Sequence, residues 1–239
     1  MEFTLLFAAL TGVALAWITV RLQVRRGRLA GVERPADTLI GAAGVGVFSG
    51  RIVEMVLAGV NPITNPLDIL LVRGGVSTVA ASAVAVGTVA WTHRHELWAL
   101  DGLAPAALAG LAGWHAGCVW TGSCLGAATD LGWGLTLPGS DVPRHPTEIY
   151  AALILIVGAF VVARMSGQLR ATGTAVAVAG FARLVTEPLR PSITGGPVAW
   201  YTLALVGGVV VAVLGPRWRD RQRLSGEPSP PPGPRDRPR

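Results

Sequence analysis

The stretch 138–150, PGSDVPRHPTEIY, holds several residue types that could do chemistry. Two acids, an arginine, a histidine and a tyrosine fall within ten residues: Asp141, Arg144, His145, Glu148 and Tyr150. Pro143 and Pro146 restrict the backbone on either side of the Arg-His pair, and Pro146 also suits the first position of a following helix. A rigid set of donors and acids directly before the apolar run 151–163 indicates a functional site.

The composition predicts that membrane helices position this site. Of the 239 residues, 51% are hydrophobic and only 14% are charged, which is too apolar for an ordinary soluble domain. Several apolar runs approach the ~20 residues that cross a bilayer. We therefore expect an all-α integral membrane protein with about seven transmembrane helices. The predicted spans are 3–20, 37–60, 75–92, 97–117, 148–163, 173–187 and 198–215.

The ends of the chain differ from the apolar part. No basic region or cleavage site marks a removable signal, so the first apolar run is expected to be retained. The last stretch, 225–239, is rich in proline and arginine and has nothing to bury, which is typical of a disordered tail. We thus expect a membrane domain over 1–224 and a disordered cytoplasmic tail over 225–239.

The arginines predict the orientation of the chain. All 20 basic residues are arginines, and fifteen fall in alternate connectors and the C-terminal part, namely 21–34, 93–96, 164–170 and 217–239. The positive-inside rule puts those segments in the cytoplasm. The N-terminus is therefore expected outside and the C-terminus in the cytoplasm. Because topology explains the net charge of +6, we predict no nucleic-acid partner.

Five arginines break this pattern and are expected in the outer half of the membrane or just beyond it. They are Arg51, Arg73, Arg144, Arg183 and Arg190. Their expected carboxylate companions are Glu54, Asp68, Asp141, Glu148 and Glu187. An ionisable group inside a span costs at least ~2.5–3.5 kcal/mol and therefore marks a candidate site. Because a guanidinium is a planar, permanent cation suited to phosphate, the set predicts an outward-facing site for a phospholipid headgroup.

Local spacing also allows a structural role for some of these charges. Arg51 and Glu54 are three residues apart, and Arg183 and Glu187 are four apart, so each pair shares a helix face. Each could be an ion pair that only bridges helices. Asp68 and Asp101 lie near span ends and are expected to cap helices or meet the interface. His93 and His95 are expected to be solvated.

A histidine and two cysteines end the fourth span. His115 and Cys118 are three residues apart and could form a nucleophilic pair or hold a metal, with Cys124 nearby. No third ligand has suitable spacing, and buried cysteines are usually inert, so we predict no metal and no cofactor. The surrounding glycines indicate close helix packing: Gly110, Gly113, Gly117, Gly122 and Gly126.

At these positions the sequence resembles the bacterial prolipoprotein diacylglyceryl transferases. Four stretches carry the likeness, in order along the chain: GVFSGRIVEMVL (46–57), DGLAPAALAGLAGWHAGCVWTGSCLG (101–126), LPGSDVPRHPTEIYAAL (137–153) and GFARLVTEPLRP (180–191). The third is the most specific, followed by the Arg183, Glu187, Arg190 pattern in the fourth. The resemblance covers nearly the whole chain and implies seven spans with an outward N-terminus.

The resemblance implies transfer of the diacylglyceryl group of phosphatidylglycerol to the thiol of the lipobox cysteine in a preprolipoprotein, with loss of glycerol phosphate. It implies a bacterial plasma-membrane location with the active site toward the outer face. On this reading the catalytic residues are His115, Glu148, Arg183 and Glu187. The residues that bind the phospholipid phosphate are Arg51, Arg144, His145, Tyr150 and Arg190.

The chain departs from the family at several polar positions. Val79 stands where the family has a histidine, and His115-Ala116-Gly117-Cys118 replaces an Arg-x-Gly-Asn. Ser123 stands at an acidic position, and Ala179 where a tyrosine is expected. His115 could replace the missing base. Two readings stay open: a divergent active transferase, and a non-catalytic member that binds phospholipid or a lipoprotein partner. A small transporter is disfavoured, because the sequence shows no paired inverted repeats.

Overall fold

The computed structural model of the protein describes residues 4–66, 68, 75–117, 125–136, 139–165, 168–190 and 196–224. Within these ranges, side chains are described from Phe7 to Arg217. The described chain holds seven α-helices: α1 Thr4–Arg25, α2 Pro35–Leu57, α3 Thr78–Thr92, α4 Leu97–Gly117, α5 Thr147–Val162, α6 Arg170–Thr186 and α7 Val198–Leu224. A 3-10 turn, Glu187–Leu189, follows α6. The predictions for Arg73, Cys118, Gly122, Ser123, Cys124 and 225–239 lie outside the described residues.

The all-α prediction is confirmed for the described part of the chain. Four helices contain stretches that are long and apolar enough to cross a membrane: Phe7–Arg25, Pro35–Leu57, Leu97–Gly117 and Val198–Arg217. Helices α3 and α5 are apolar but shorter. The described residues otherwise hold only isolated β-bridges, in which Arg144 pairs with Ala128 and Leu135. The helices start within about three residues of the apolar runs that predict them, but α1 continues to Arg25 and α7 to Leu224, past the predicted ends at 20 and 215 and into arginine-rich segments.

The chain divides into two compact units. The smaller unit is Arg34–Glu96 and contains α2 and α3. The larger unit takes the chain up to Glu33 and from Leu97 onward, and contains α1 and α4 to α7. The core of the larger unit is built mainly from small side chains on α4, α5 and α6, including Ala104, Leu108, Ala112, Leu155, Val162, Ala171 and Ala175.

Glycines let the helices of the larger unit approach at backbone distance. A Cβ added to Gly113 would meet Thr11 O of α1 at 2.5 Å, and one added to Gly117 would fall inside 3.0 Å of Ala8. The Thr11 hydroxyl also donates a hydrogen bond of 2.7 Å to Gly113 O. These contacts agree with the predicted packing role of the span-four glycines, since small residues drive helix association in membranes.

Helix α6 is held at both ends by its neighbours. Near its start, the Asp101 carboxylate on α4 accepts the Thr172 backbone N–H at 2.8 Å and the Thr172 hydroxyl at 2.6 Å. Asp101 thus satisfies a donor that the first helical turn leaves free, which agrees with its predicted capping role. Further along, Gly180 packs against Tyr201 O of α7, which a Cβ at Gly180 would meet at 2.7 Å.

The smaller unit is a helix pair with a folded connector. Gly46 and Gly50 of α2 lie against α3 and its N-cap, where Ser77 N donates to Gly50 O at 3.1 Å. Arg51 is buried, and its guanidinium donates to Asp68 O at 3.1 and 2.9 Å and to Gly75 O at 3.0 Å. Arg51 thereby ties the connector to α2 through backbone carbonyls.

The two histidines that follow α3 have different surroundings. His95 is exposed, as the sequence predicts. His93 is buried, with 6% of its surface exposed, so its predicted solvation is wrong. It is the C-cap residue of α3, and its Nδ1 lies 4.0 Å from the Glu96 carboxylate. His93 is therefore buried at the helix end, although its position in a short polar connector predicts that water surrounds it.

Candidate active site

Glu148 lies at the centre of a buried charge cluster in the larger unit. It is the second residue of α5, and only 3% of its surface is exposed. One carboxylate oxygen, Oε2, contacts Nδ1 of His115, which comes from the end of α4. The other, Oε1, accepts a hydrogen bond from Nη2 of Arg190 and lies 3.9 Å from Nη1 of Arg183. One carboxylate therefore joins three basic groups from three parts of the chain.

Arg183, in the last turn of α6, is held by two further groups. Its Nη2 donates to Glu187 Oε2 at 3.2 Å and to the Tyr201 hydroxyl, also at 3.2 Å. The Glu187 contact is the predicted pairing four residues along, although Glu187 itself begins the 3-10 turn. The guanidinium carbon also lies 5.2 Å from the centre of the Tyr201 ring. Both partners are buried, so the orientation of Arg183 is fixed.

The cluster is close to charge balance without any bound molecule. Two arginines face two glutamates, and His115 adds a group that can be neutral or positive. Burial lowers the pKa of Arg190, but the neighbouring Glu148 carboxylate and then Glu187 raise it by more, so the pKa lies above its ordinary value. Arg190 has 35% of its side chain exposed and Arg183 has 12%, so Arg190 is the more accessible of the two arginines.

The loop before α5, whose described residues are 125–136 and 139–146, is attached to the cluster by backbone hydrogen bonds. Gly126 N donates to His145 O at 2.7 Å, and Ala127 N donates to Leu189 O, also at 2.7 Å. Arg144 and Leu135 exchange backbone hydrogen bonds of 2.9 and 3.0 Å. A Cβ added to Gly126 would fall inside 3.0 Å of Leu189 O. The loop therefore supports the backbone directly before Arg190.

The predicted phosphate ligands in this loop keep polar atoms without a partner. Arg144 Nη1 donates to Gly126 O at 3.2 Å, whereas its buried Nε has no hydrogen-bond partner among the described residues. His145 Nδ1 is likewise buried and unpaired there. The His145 ring meets the edge of Tyr150, with 6.2 Å between ring centres, and the Tyr150 hydroxyl accepts from Trp133 Nε1 at 2.8 Å. The N–H of Arg144 Nε, and His145 Nδ1 in the tautomer that carries a proton there, suit an anion.

The structure brings together all four residues that the sequence predicts as catalytic, His115, Glu148, Arg183 and Glu187, with Arg190 among them. Arg144, His145 and Tyr150 lie in the loop and the first turn of α5, just before and after Glu148. Arg51 belongs to the other unit and Asp141 is exposed. Within the described ranges, no three of the His, Cys, Asp and Glu residues are placed to hold a metal ion.

Tyr201 is the site residue that the sequence reasoning missed. It lies in an apolar span without a charged neighbour nearby, and its contact with Arg183 forms only when α7 packs on α6. The sequence feature that points to Tyr201 is the rarity of tyrosine, because the chain has only two tyrosines. Tyr150 stands in a polar stretch that predicts a functional site, whereas Tyr201 stands in an apolar span.

This arrangement suits transfer chemistry at a phosphate-bearing lipid. Two guanidinium groups can donate hydrogen bonds to a phosphate and to the oxygen of a leaving group, and an imidazole that takes up a proton adds positive charge as negative charge develops. An imidazole with a carboxylate on one nitrogen can accept a proton on the other, as in a nucleophile-activating dyad. Both functions lie within one buried cluster, where such interactions are stronger than in water.

Comparison with known proteins agrees with the resemblance that the sequence motifs predict. A family model described as prolipoprotein diacylglyceryl transferase matches residues 4–215. A phosphatidylglycerol–prolipoprotein diacylglyceryl transferase of Solidesulfovibrio magneticus is 28% identical over an alignment of 224 positions, which covers 86% of this chain and 84% of that protein.

Shorter matches have similar identity. The protein of that name from Cupriavidus necator is 31% identical over 143 residues, 54% of this chain and 52% of the relative. The one from Coxiella burnetii is 30% identical over 163 residues, 64% of this chain and 62% of the relative. In these two matches the chain spans about half to three fifths of the relative's length. Because the family model covers most of the sequence, the chain belongs to the prolipoprotein diacylglyceryl transferase family.

Proposed function

We propose that this protein transfers the diacylglyceryl group of phosphatidylglycerol to the thiol of a lipobox cysteine in a preprolipoprotein. The relatives carry the name of this activity, and the family membership covers residues 4–215. The observation that carries the proposal is the cluster around Glu148. It joins two arginines, which suit the phosphate of the donor, to a histidine, which suits the thiol of the acceptor.

The arginines would bind the phosphate of the donor. Arg190 is the more exposed of the pair and would meet the headgroup first, with Arg183 behind it. The unpaired Nε of Arg144 and Nδ1 of His145 are further candidates for hydrogen bonds to the headgroup. Charged hydrogen bonds of this type contribute ~1.5–3 kcal/mol each, which favours an anionic lipid over a neutral one.

His115 would act as the base. Its Nδ1 contacts Glu148, so Nε2 is the nitrogen left to take the thiol proton. The sulfur then forms a bond to the glyceryl carbon, and the bond between that carbon and the phosphate oxygen breaks, with its electron pair going to the oxygen. Glycerol phosphate leaves, and the proton on His115 passes to it. Glu187 would act through Arg183, whose guanidinium it orients toward the departing phosphate.

Arg51 and Tyr150 receive supporting roles in this proposal. All three nitrogens of the Arg51 guanidinium donate to backbone carbonyls, which favours a structural role in place of the predicted phosphate contact. Tyr150 would shape the headgroup site through its ring contact with His145.

We place the reaction at the outer face of a bacterial plasma membrane. The apolar runs predict seven spans, and the arginine distribution predicts an outward N-terminus and a cytoplasmic C-terminus. Residues 1–224 would form the membrane domain, with 225–239 extending into the cytoplasm. This places the loop before α5, Glu148 and Arg190 on the outer side, where a secreted acceptor would emerge.

The proposal is tested by incubating the purified protein with phosphatidylglycerol and a synthetic lipobox peptide, and measuring the peptide mass. A mass gain of one diacylglyceryl group on the cysteine is expected. It should vanish when serine replaces that cysteine, and in Arg183→Ala. Arg164→Ala is the matched control, because Arg164 follows the end of α5, and its side-chain hydrogen bond and ring contact are both to Phe160 of that helix.

The competing reading is a family member that binds lipid without transferring it. The replaced family positions favour that reading, since Val79 and Ala179 cannot donate or accept a proton. It predicts phosphatidylglycerol retained by the purified wild type and an unchanged peptide mass. It also predicts that Arg183→Ala loses the lipid while His115→Ala keeps it.

A further inference from the structure

Tyr201 occupies a position that the reaction proposed above leaves without a role. It lies in the first turns of α7, and only 4% of its surface is exposed. Its hydroxyl oxygen accepts from Arg183 Nη2 at 3.2 Å, and its ring lies 5.2 Å from the guanidinium carbon. Arg183 and Arg190 share the Glu148 carboxylate. A single buried hydroxyl therefore contacts one of the two arginines that suit a phosphate.

Backbone packing fixes this hydroxyl in place. Gly180, one turn before Arg183 on α6, lies against Tyr201 O and Leu205 N, which an added Cβ would approach to 2.7 and 2.6 Å. The turn of α7 that carries Tyr201 thus touches the backbone of α6 directly. A side chain at position 180 would push Tyr201 away from Arg183.

The Arg183 guanidinium and the Tyr201 hydroxyl each keep a hydrogen-bond donor that has no hydrogen-bonded acceptor among the described residues. Nη2 of Arg183 has two N–H bonds, and its two acceptors are Glu187 and Tyr201. The Tyr201 oxygen accepts from Arg183, so its own hydrogen must point elsewhere, and it has no acceptor among the described residues. Arg183 Nη1 lies 3.9 Å from Glu148 Oε1, beyond hydrogen-bond distance, so it also has an N–H to offer. A buried donor without an acceptor is costly, which favours an anion bound beside it.

We propose that Tyr201 is an additional ligand of the phospholipid headgroup. Its oxygen holds the Arg183 guanidinium, and its hydroxyl hydrogen donates to an oxygen of the phosphate that Arg183 and Arg190 bind. This deepens the proposed function and rests on its donor lipid. It assigns to α7 a role in donor recognition, separate from the proton transfer at His115 and Glu148 on α4 and α5.

The test compares Tyr201→Phe with the wild type in two assays. Phe keeps the ring and removes only the hydroxyl. The KM for phosphatidylglycerol should rise roughly tenfold or more, because a hydrogen bond to a charged group is lost. The KM for the lipobox peptide should stay unchanged. Equilibrium binding of fluorescent phosphatidylglycerol, without any peptide, should weaken by the same factor. Thr202→Val is the matched control, because among the described residues the Thr202 hydroxyl bonds Val198 O of its own helix alone.

A third measurement covers the case in which Tyr201→Phe does not fold. Infrared difference spectra of the wild type with carbon-13-labelled tyrosine need no substitution at position 201. The chain has only two tyrosines, so Tyr150→Phe identifies the band of Tyr201. Adding phosphatidylglycerol should shift the phenol C–O stretch of Tyr201, because its hydroxyl gains an acceptor. An unshifted band, or Tyr201→Phe binding the lipid as tightly as the wild type, would overturn the inference.

The two assays separate the inference from the proposed function. Wild type that binds phosphatidylglycerol without transferring it would refute the transferase, while the binding comparison would still decide the role of Tyr201. Wild type that transfers, together with an unchanged Tyr201→Phe, would keep the transferase and remove Tyr201 from it. Wild type that neither binds nor transfers would remove both.

Discussion

At the scale of the residue, the site depends on Glu148 more than on any arginine. Its two oxygens contact His115 and Arg190, and Arg183 lies 3.9 Å away. Removing one partner from a buried charge network leaves the others uncompensated, which typically costs ~3–5 kcal/mol. Glu148 therefore both stabilises the buried cations and orients the proposed base.

Glu148→Gln tests this dual role. The amide keeps the shape of the side chain but not its charge, so His115 loses its anionic partner and the arginines lose a counter-charge. We expect initial transfer rates to fall on the order of 10²-fold, the lower end for general acid–base catalysis. Rates are measured with saturating phosphatidylglycerol and peptide.

Glu96→Gln is the control for this substitution. Glu96 also lies beside a histidine, His93, at 4.0 Å, but 52% of its side chain is exposed and it belongs to the other unit. Its variant should transfer at the wild-type rate. Equal losses in the two variants would mean that the charge on Glu148 has no specific role.

Some of these residue contacts could be predicted from the sequence and others could not. Arg183 and Glu187 are four apart, so helix geometry alone brings them together. His115 and Glu148 are 33 residues apart, and sequence spacing says nothing about their contact. The prediction that His115 and Glu148 are site residues rests on their residue types and on the family resemblance. Tyr201 was missed because an apolar span hides a tyrosine whose partner lies on another helix.

At the scale of the element, glycines decide how closely the helices pack. Gly208 of α7 lies against Gly173 and Ala177 of α6, and a Cβ there would fall inside 3.0 Å of both. Its neighbour Gly207 has nothing within 4 Å of an added Cβ. A methyl group added at Gly208 would therefore clash with α6, whereas one added at Gly207 would meet open space. The two substitutions together test the packing of α7 on α6.

Gly208→Ala is expected to destabilise the protein by ~1–3 kcal/mol, the usual cost of overpacking. Gly207→Ala should be neutral or stabilising by up to about 1 kcal/mol, because alanine is the better helix former. Thermal unfolding of both variants in the same detergent checks this. The packing of α7 on α6 would be refuted by equal unfolding temperatures.

The loop before α5 provides a second matched pair. Gly126 lies against Leu189 O and Thr147, whereas Gly132 in the same loop has open space around it. Gly126→Ala should displace the backbone that carries Arg190 and raise the KM for phosphatidylglycerol several-fold. Gly132→Ala should leave that KM unchanged. The loop has no supporting role if Gly126→Ala binds and turns over the lipid like the wild type.

At the scale of the whole molecule, the apolar runs predict the helices well and the arginines predict their orientation. Each of the seven predicted spans overlaps one described helix. The division into two units was not foreseen, because it depends on which helices pack together and not on where each begins. The orientation is predicted from charge alone and can be measured independently of activity.

Cysteine labelling tests the proposed orientation. Asp141→Cys, at an exposed position in the loop before α5, should react with a membrane-impermeant maleimide in spheroplasts. His95→Cys, exposed after α3, should react only after lysis. The wild-type chain, with Cys118 and Cys124, gives the background. Labelling of position 95 without lysis would reverse the orientation and move the site to the cytoplasmic face.

The most direct test of the proposed reaction follows both halves of the donor lipid at once. Phosphatidylglycerol is labelled with deuterium in its acyl chains and with carbon-13 in its headgroup glycerol, and is incubated with the wild type and a lipobox peptide. We expect one diacylglyceryl group on the peptide cysteine for each labelled glycerol phosphate released. Release of labelled glycerol phosphate without a gain on the peptide, or neither event with the lipid still bound, would contradict the transferase mechanism proposed for the Glu148 cluster.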